Sequence, residues 1–347
     1  MKLIKTITLL SMAIFMAASC SKTDENPVGE FSKGIFVVNE GNFSDANGSI
    51  GFYHESNKVA TQDIFEKANG TAVGGLIQSI YFYDDRAFII DQLGNKIYVV
   101  NAGTFELITT IEDGLSTPRY MVVAQGKAYI TNWGQFDANY NLPDSYVSVF
   151  DLTTYEEEAT IKTDNGSEGL FSFGGMVYVA NSYSNTIDII DPASTQVESQ
   201  IEVAAGPLSF VEDKNNKVWL LSSSYINGSA LSQIDLATEE VIKTFKVGDS
   251  AKSLQINSSG EELYYLSAPY GVEASVYKLA ITANENSTTP VLTGPNLYGL
   301  GVHPTSGLLY IANNNGFQGN GTILIYDEGE LLDNFASGVG PNGFAFR

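Results

Sequence analysis

The sequence is poor in the residues that most catalytic chemistry draws on. Among 347 residues there are one cysteine, two histidines and two tryptophans. A single cysteine forms no internal disulfide and cannot supply a cysteine-rich zinc site. Basic side chains are scarce too, 18 against 40 acidic ones, for a formal net charge of −22. Nucleic acid and anionic lipid headgroups are held mainly by Lys and Arg, so this balance excludes a nucleic-acid partner. No apolar run is long enough to span a bilayer: Ile7–Ala18 has about twelve residues where about twenty are needed. Helical periodicity is absent after residue 33. What remains is 44% hydrophobic with 33 glycines, too apolar for a disordered chain.

The short apolar run has a different reading. Lys2 and Lys5 precede it, and Ala17-Ala18-Ser19 follow it immediately before Cys20. Positive start, apolar centre and small residues at the cut make residues 1–19 a lipoprotein signal peptide, with Cys20 as the lipidation site and mature N-terminus. Loss of Lys2 and Lys5 takes the formal charge from −22 to −24. Residues 20–33 begin Cys20-Ser21-Lys22-Thr23-Asp24-Glu25-Asn26-Pro27 and read as a flexible tether. The acids after the cysteine resemble the export signals that carry lipoproteins of Bacteroidota to the outer face of the outer membrane.

From residue 34 onward one pattern recurs: an aromatic, two mostly apolar residues, then Asn, Asp or Ser. It occurs as Phe36-Val37-Val38-Asn39, Phe88-Ile89-Ile90-Asp91, Tyr129-Ile130-Thr131-Asn132, Tyr178-Val179-Ala180-Asn181, Trp219-Leu220-Leu221-Ser222, Tyr264-Tyr265-Leu266-Ser267 and Tyr310-Ile311-Ala312-Asn313. The last residues of these seven copies run from 39 to 313, a mean spacing of about 46, within the range of propeller blades. Each copy is followed by a second run ending near an acid, such as Thr186–Asp191, and by a turn and a third run, such as Val197–Val203. A Gly or Pro corner, Ala205-Gly206-Pro207, then opens a fourth run, Leu208–Val211. Four β-type runs per repeat predict an all-β, seven-bladed β-propeller of four-stranded antiparallel blades over residues 34–347. The first repeat lacks its inner strand, and the chain ends in Gly340-Pro341-Asn342-Gly343-Phe344-Ala345-Phe346-Arg347, a corner and inner strand with nothing after them. The C-terminal strand is therefore expected to complete the first blade and close the ring.

These repeats, above all Tyr178-Val179-Ala180-Asn181 with Asn185–Pro192 after it, resemble the YVTN or YncE-like seven-bladed propellers. Ser222 and Ser267 depart from the pattern, where Asn or Asp is otherwise found. Together with the lipoprotein signal and acidic tether, the repeats look like the BtuG-like cobalamin-binding surface lipoproteins of Bacteroidota. That resemblance implies capture of a corrinoid outside the cell and its delivery to a TonB-dependent outer-membrane transporter, with cobalamin as bound ligand and no required cofactor.

The residues themselves favour binding over catalysis. His54 and His303 fall in or beside turns, no nucleophile has a His placed by motif, and no HxxxH or HExxH spacing exists. Loops between second and third strands share one face with the corners that lead into the inner strands, and loops on a rigid scaffold carry specificity. The first set offers Asn42 and Phe43, Leu93, Trp133, Phe136 and Tyr140, Tyr183, Tyr225, Tyr270 and Phe317, so six of seven blades place an aromatic within four residues of the signature. The corners add Arg119, Asn296, Tyr298 and Asn342 near the channel mouth. The 133–145 loop is polar and the longest on this face. Two other readings stand beside corrinoid capture. One is a non-catalytic propeller that binds glycan or protein. The other is an enzyme with a channel-bound calcium, held by converging carboxylates such as Glu168 and Asp249.

Overall fold

The computed structural model describes residues 29–347. The signal peptide, Cys20 and most of the tether lie outside the described residues. The first blade contributes β1 (Ile35–Asn39), β2 (Ser49–His54) and β3 (Val59–Thr61), followed by a short helix α1 (Ile64–Asn69). The second comprises β4 (Ile77–Tyr83), β5 (Arg86–Asp91), β6 (Lys96–Asn101) and β7 (Leu107–Ile111). The third is β8 (Pro118–Ala124), β9 (Lys127–Asn132), β10 (Tyr146–Asp151) and β11 (Glu157–Lys162). The fourth is β12 (Ser167–Phe173), β13 (Met176–Asn181), β14 (Thr186–Asp191) and β15 (Gln196–Glu202). The fifth is β16 (Pro207–Glu212), β17 (Val218–Ser224), β18 (Gly228–Asp235) and β19 (Glu240–Val247). The sixth is β20 (Ala251–Ile256), β21 (Glu262–Ser267), β22 (Ala274–Ala280) and β23 (Leu292–Gly294). The last is β24 (Leu297–Val302), β25 (Leu309–Asn313), β26 (Asn320–Asp327) and β27 (Glu330–Val339), after which β28 (Pro341–Phe346) ends the chain.

These strands form seven four-stranded antiparallel sheets, a seven-bladed propeller. In the first blade β28 lies beside β1, with Ile35 opposite Phe346 and Val37 opposite Phe344. Gly34 and Arg347 exchange backbone hydrogen bonds of 3.0 Å in both directions, which closes the ring as the sequence predicts. All seven signature tetrads fall in second strands.

The core is divided among the blades. Seven buried clusters each join two neighbours: Phe88, Ile90, Ile97 and Val99 of blade two pack on Met121, Ile130 and Phe150 of blade three, for example. Successive residues of a second strand serve opposite sides, Phe36 facing blade two and Val37 facing blade seven. Both faces are buried, so these strands read as continuous apolar runs rather than alternating ones.

One element differs from expectation. The helix α1 was not foreseen, because six residues make too few turns to show a period. Asp63 caps it by accepting from the Glu66 backbone N–H at 3.1 Å, and Ile64 and Phe65 are buried beside the short β3.

Candidate functional site

The site begins at the corners. Thr117, Gly166, Gly206, Ser250, Asn296 and Gly340 have left-handed φ, and each immediately precedes an inner strand. A positive φ reverses the chain sharply and is least costly for Gly or Asn. In three blades the side-chain oxygen at the polar end of the signature pins the corner, whereas Asn181 Oδ1 is buried without a partner. Asn132 Oδ1 accepts from the Ser116 N–H at 2.9 Å, Asn39 Oδ1 from Gly338 at 3.0 Å, and Asp91 Oδ1 from Leu76 at 3.1 Å. At the two departures the outcomes differ: Ser267 Oγ donates to the Asp249 carbonyl at 2.8 Å, whereas Ser222 Oγ is buried without a partner.

Just past each corner the pairing register shifts. It skips the second residue of the inner strand in six blades, and in the sixth blade the shift falls just after Lys252. Such bulges re-aim side chains. Seven equivalent positions thereby form a ring at the channel mouth: Gln78, Arg119, Glu168, Leu208, Lys252, Tyr298 and Asn342. They line a cavity of about 680 Å³ with Glu40, Gln92, Tyr120 and Trp133, and apolar residues such as Ile80, Leu170, Phe210 and Phe344 form its wall farther along the strands.

The ring's charges are largely answered from within. Arg119 donates to Glu168 from Nε at 3.0 Å and from Nη2 at 2.9 Å, and its third nitrogen is bound to Gln92. Its guanidinium lies 3.9 Å from the centre of the Trp133 ring. Burial opposes the Arg119 charge, but Glu168 more than offsets it and holds the pKa above its ordinary value. Tyr298 donates its hydroxyl to Glu40 at 2.9 Å, and burial together with that carboxylate pushes the phenol well above the usual range. Tyr120 is raised to about 12 by burial. Lys252 lies with Nζ 3.7 Å from the Tyr298 ring centre, and burial lowers it to about 8 while Glu40 pulls the other way.

Of the residues singled out from sequence, Arg119, Trp133, Tyr298 and Asn342 line the cavity. Asn42, Phe43, Phe136, Tyr140, Tyr183, Tyr225, Tyr270, Asn296 and Phe317 do not. Trp133, Phe136 and Tyr183 make an edge-to-face triad with all centroids 6.0 Å apart. Phe317 packs edge-on against Tyr298 at 5.2 Å. Phe43, Tyr140, Tyr225 and Tyr270 stand exposed at loop tips, Tyr140 at 79%. Two asparagines have turn roles instead of a place in the cavity. Asn42 Oδ1 accepts from the Ser44 N–H and hydroxyl, at 3.0 and 2.8 Å, and Asn296 is the left-handed corner before β24. The 133–145 loop is organised by Asp137 Oδ1, which accepts from the Asn139 and Asn141 N–H groups at 2.8 and 2.9 Å. Gln78, Lys252, Glu40 and Tyr120 were missed, although Gln78 and Lys252 follow the same corner spacing as Arg119.

The carboxylates proposed for calcium do not converge. Glu168 is committed to Arg119, and Asp249 is exposed and away from the cavity lining. Among the described residues, no group of three or more His, Cys, Asp or Glu is placed to hold a metal ion. His303 Nδ1 accepts from the Thr305 and Ser306 N–H groups at 3.2 and 3.0 Å, and its Nε2 lies 3.2 Å from Glu55, which makes it a turn and blade-junction residue.

A family model described as "Domain of unknown function (DUF5074)" matches residues 33–334. No curated protein sequence matches the chain. Among solved structures, the chain is similar to a quinoprotein alcohol dehydrogenase-like protein from Bacteroides thetaiotaomicron, with TM-score 0.68 and 17% identity over 91% of this chain and 78% of that one. It is similar also to the periplasmic gluconolactonase of Pseudomonas aeruginosa, with TM-score 0.68 and 10% identity over 90% of this chain and 98% of that one. A putative 6-phosphogluconolactonase from Bacteroides fragilis gives TM-score 0.68 and 11% identity over 91% and 98%. Identities this low establish the shared β-propeller fold and carry no chemistry with them.

Proposed function

The chain belongs to the DUF5074 family, whose description assigns no activity, and on that premise we propose that it is a non-catalytic capture protein for a corrinoid. In this reading cobalamin binds across the loop face and the chain, anchored through lipid at Cys20, delivers it to a TonB-dependent outer-membrane transporter, as in the BtuG-like lipoproteins it resembles. One observation carries the proposal: Phe43, Tyr140, Tyr225 and Tyr270 stand exposed around a cavity whose Arg119 and Glu168 neutralise each other. Exposed apolar groups gathered on one face mark a surface meant to be covered. A large macrocycle fringed with amides suits such a face: aromatic rings supply area, and the amides of Gln78, Gln92 and Asn342 supply hydrogen bonds without a large charge. No histidine lines the cavity, and its acidic residues Glu40 and Glu168 are each held by a neighbour.

Isothermal titration of cyanocobalamin into the chain from Ser21 onward tests this. The expected result is saturable one-to-one binding, weakened about tenfold or more by Trp133→Ala and measurably by Tyr225→Ala. No heat at micromolar protein with an intact circular dichroism spectrum would remove corrinoids. The exposed Tyr225, Ile226, Tyr270 and Val272 of adjacent loops would then favour a protein- or glycan-binding propeller.

A further inference from the structure

Among the described residues, the cavity holds one cation without a counter-ion. Arg119 is paired with Glu168 and also bound to Gln92. Lys252, at the same ring position on β20, rests its Nζ 3.7 Å over the Tyr298 ring, and among the described residues it makes neither a hydrogen bond nor an ion pair. Its nearest acidic influence is Glu40, which is already accepting the Tyr298 hydroxyl at 2.9 Å. On the opposite wall, three blades away, the Trp133 indole Nε1 is buried without an acceptor. Asn342 contributes one unpartnered oxygen. The accessible donor left unanswered at the mouth is thus the half-buried Lys252 ammonium, and a charge partly withdrawn from water without a partner is costly.

We propose that the channel mouth contains an anion subsite in which the Lys252 ammonium receives the oxygens of a carboxylate or phosphate group. Tyr298 separates this subsite from Glu40 and supplies an aromatic floor under the ammonium. The subsite follows from the cavity itself and holds whichever large molecule covers the loop face.

Burial lowers Lys252 to about 8, and an anion needs its charged form. Lining the same cavity are Glu40, Glu168, Arg119, Tyr120 and Tyr298. Of these, burial raises both tyrosines, Tyr120 to about 12, and Arg119 stays charged beside Glu168, which leaves Lys252 to set the dependence above pH 7. For a probe whose own charge is constant, such as acetate above about pH 6, affinity is therefore flat up to about pH 7 and falls about tenfold per unit above about pH 8, as the ammonium is lost.

Trp133 is a built-in reporter. Its emission is followed while inorganic phosphate, and separately acetate, is added at constant ionic strength. Saturation by either probe is expected, with phosphate alone or acetate alone identifying which acid the subsite takes. Lys252→Gln should weaken it at least tenfold with an unchanged circular dichroism spectrum, Lys252→Arg should retain binding without the fall above pH 8, and Trp133→Phe should silence the signal. An unchanged response in Lys252→Gln, a fall above pH 8 that persists in Lys252→Arg, or no response to either probe overturns the proposal. None of these outcomes involves a corrinoid, so the subsite and the capture reading fail independently.

Discussion

Arg119 and Glu168 lie 2.9 Å apart with side chains only 10% and 7% exposed, and the pair occupies adjacent positions in the ring. Removing one partner of such a pair strands a buried charge. Arg119→Ala should cost about 3–5 kcal/mol in urea denaturation, and Arg119→Met with Glu168→Met should restore most of it. A loss below about 1 kcal/mol in the single variant would show the pair to be solvated. Arg119 was legible in sequence because it directly follows a Thr-Pro corner, and Tyr298 and Asn342 were legible through their aromatic and amide side chains beside corners. Lys252 and Gln78 sit at the same step past their own corners and went unread, since neither residue type stands out in isolation. Glu40 was hidden for another reason: its part in the site depends on a partner, Tyr298, 258 residues away.

At the scale of elements, the strands were readable because both faces of each second strand are buried, which gives apolar runs that recur with every blade. The helix α1 was too short to register, and the bulges that aim the ring inward leave no mark in composition. Corners were legible through Gly and Pro, yet Thr117 and Ser250 adopt the same left-handed conformation without either signal at that residue. The corner before β16 shows how tight these reversals are. Gly206 has φ 76°, and a Cβ there would meet the Ser223 carbonyl. Gly206→Ala should destabilise the protein by more than about 1 kcal/mol, read as a lower urea midpoint. Closure is also a property of one element. Deleting Gly340–Arg347 removes β28, exposes the β1 edge and uncovers the blade one and seven core. The shortened chain should melt far lower and aggregate, and an unchanged melting temperature would refute closure by this strand.

On the scale of the whole molecule, the two faces of the disc differ. Aromatic loop tips and the ring of seven occupy one face. The described chain enters on the other, where Phe31 is buried and its N–H bonds the Gly103 carbonyl at 2.9 Å in the turn between β6 and β7. The first described residues therefore lie away from the loop face. The most direct test of that face as the binding surface is hydrogen exchange with and without saturating cyanocobalamin. Slowed exchange confined to the loops at 42–48, 133–145, 224–228 and 268–273, with the turn at 101–107 unchanged, is the predicted footprint. Protection on the opposite face, along the outer strands, or nowhere at all would contradict the account.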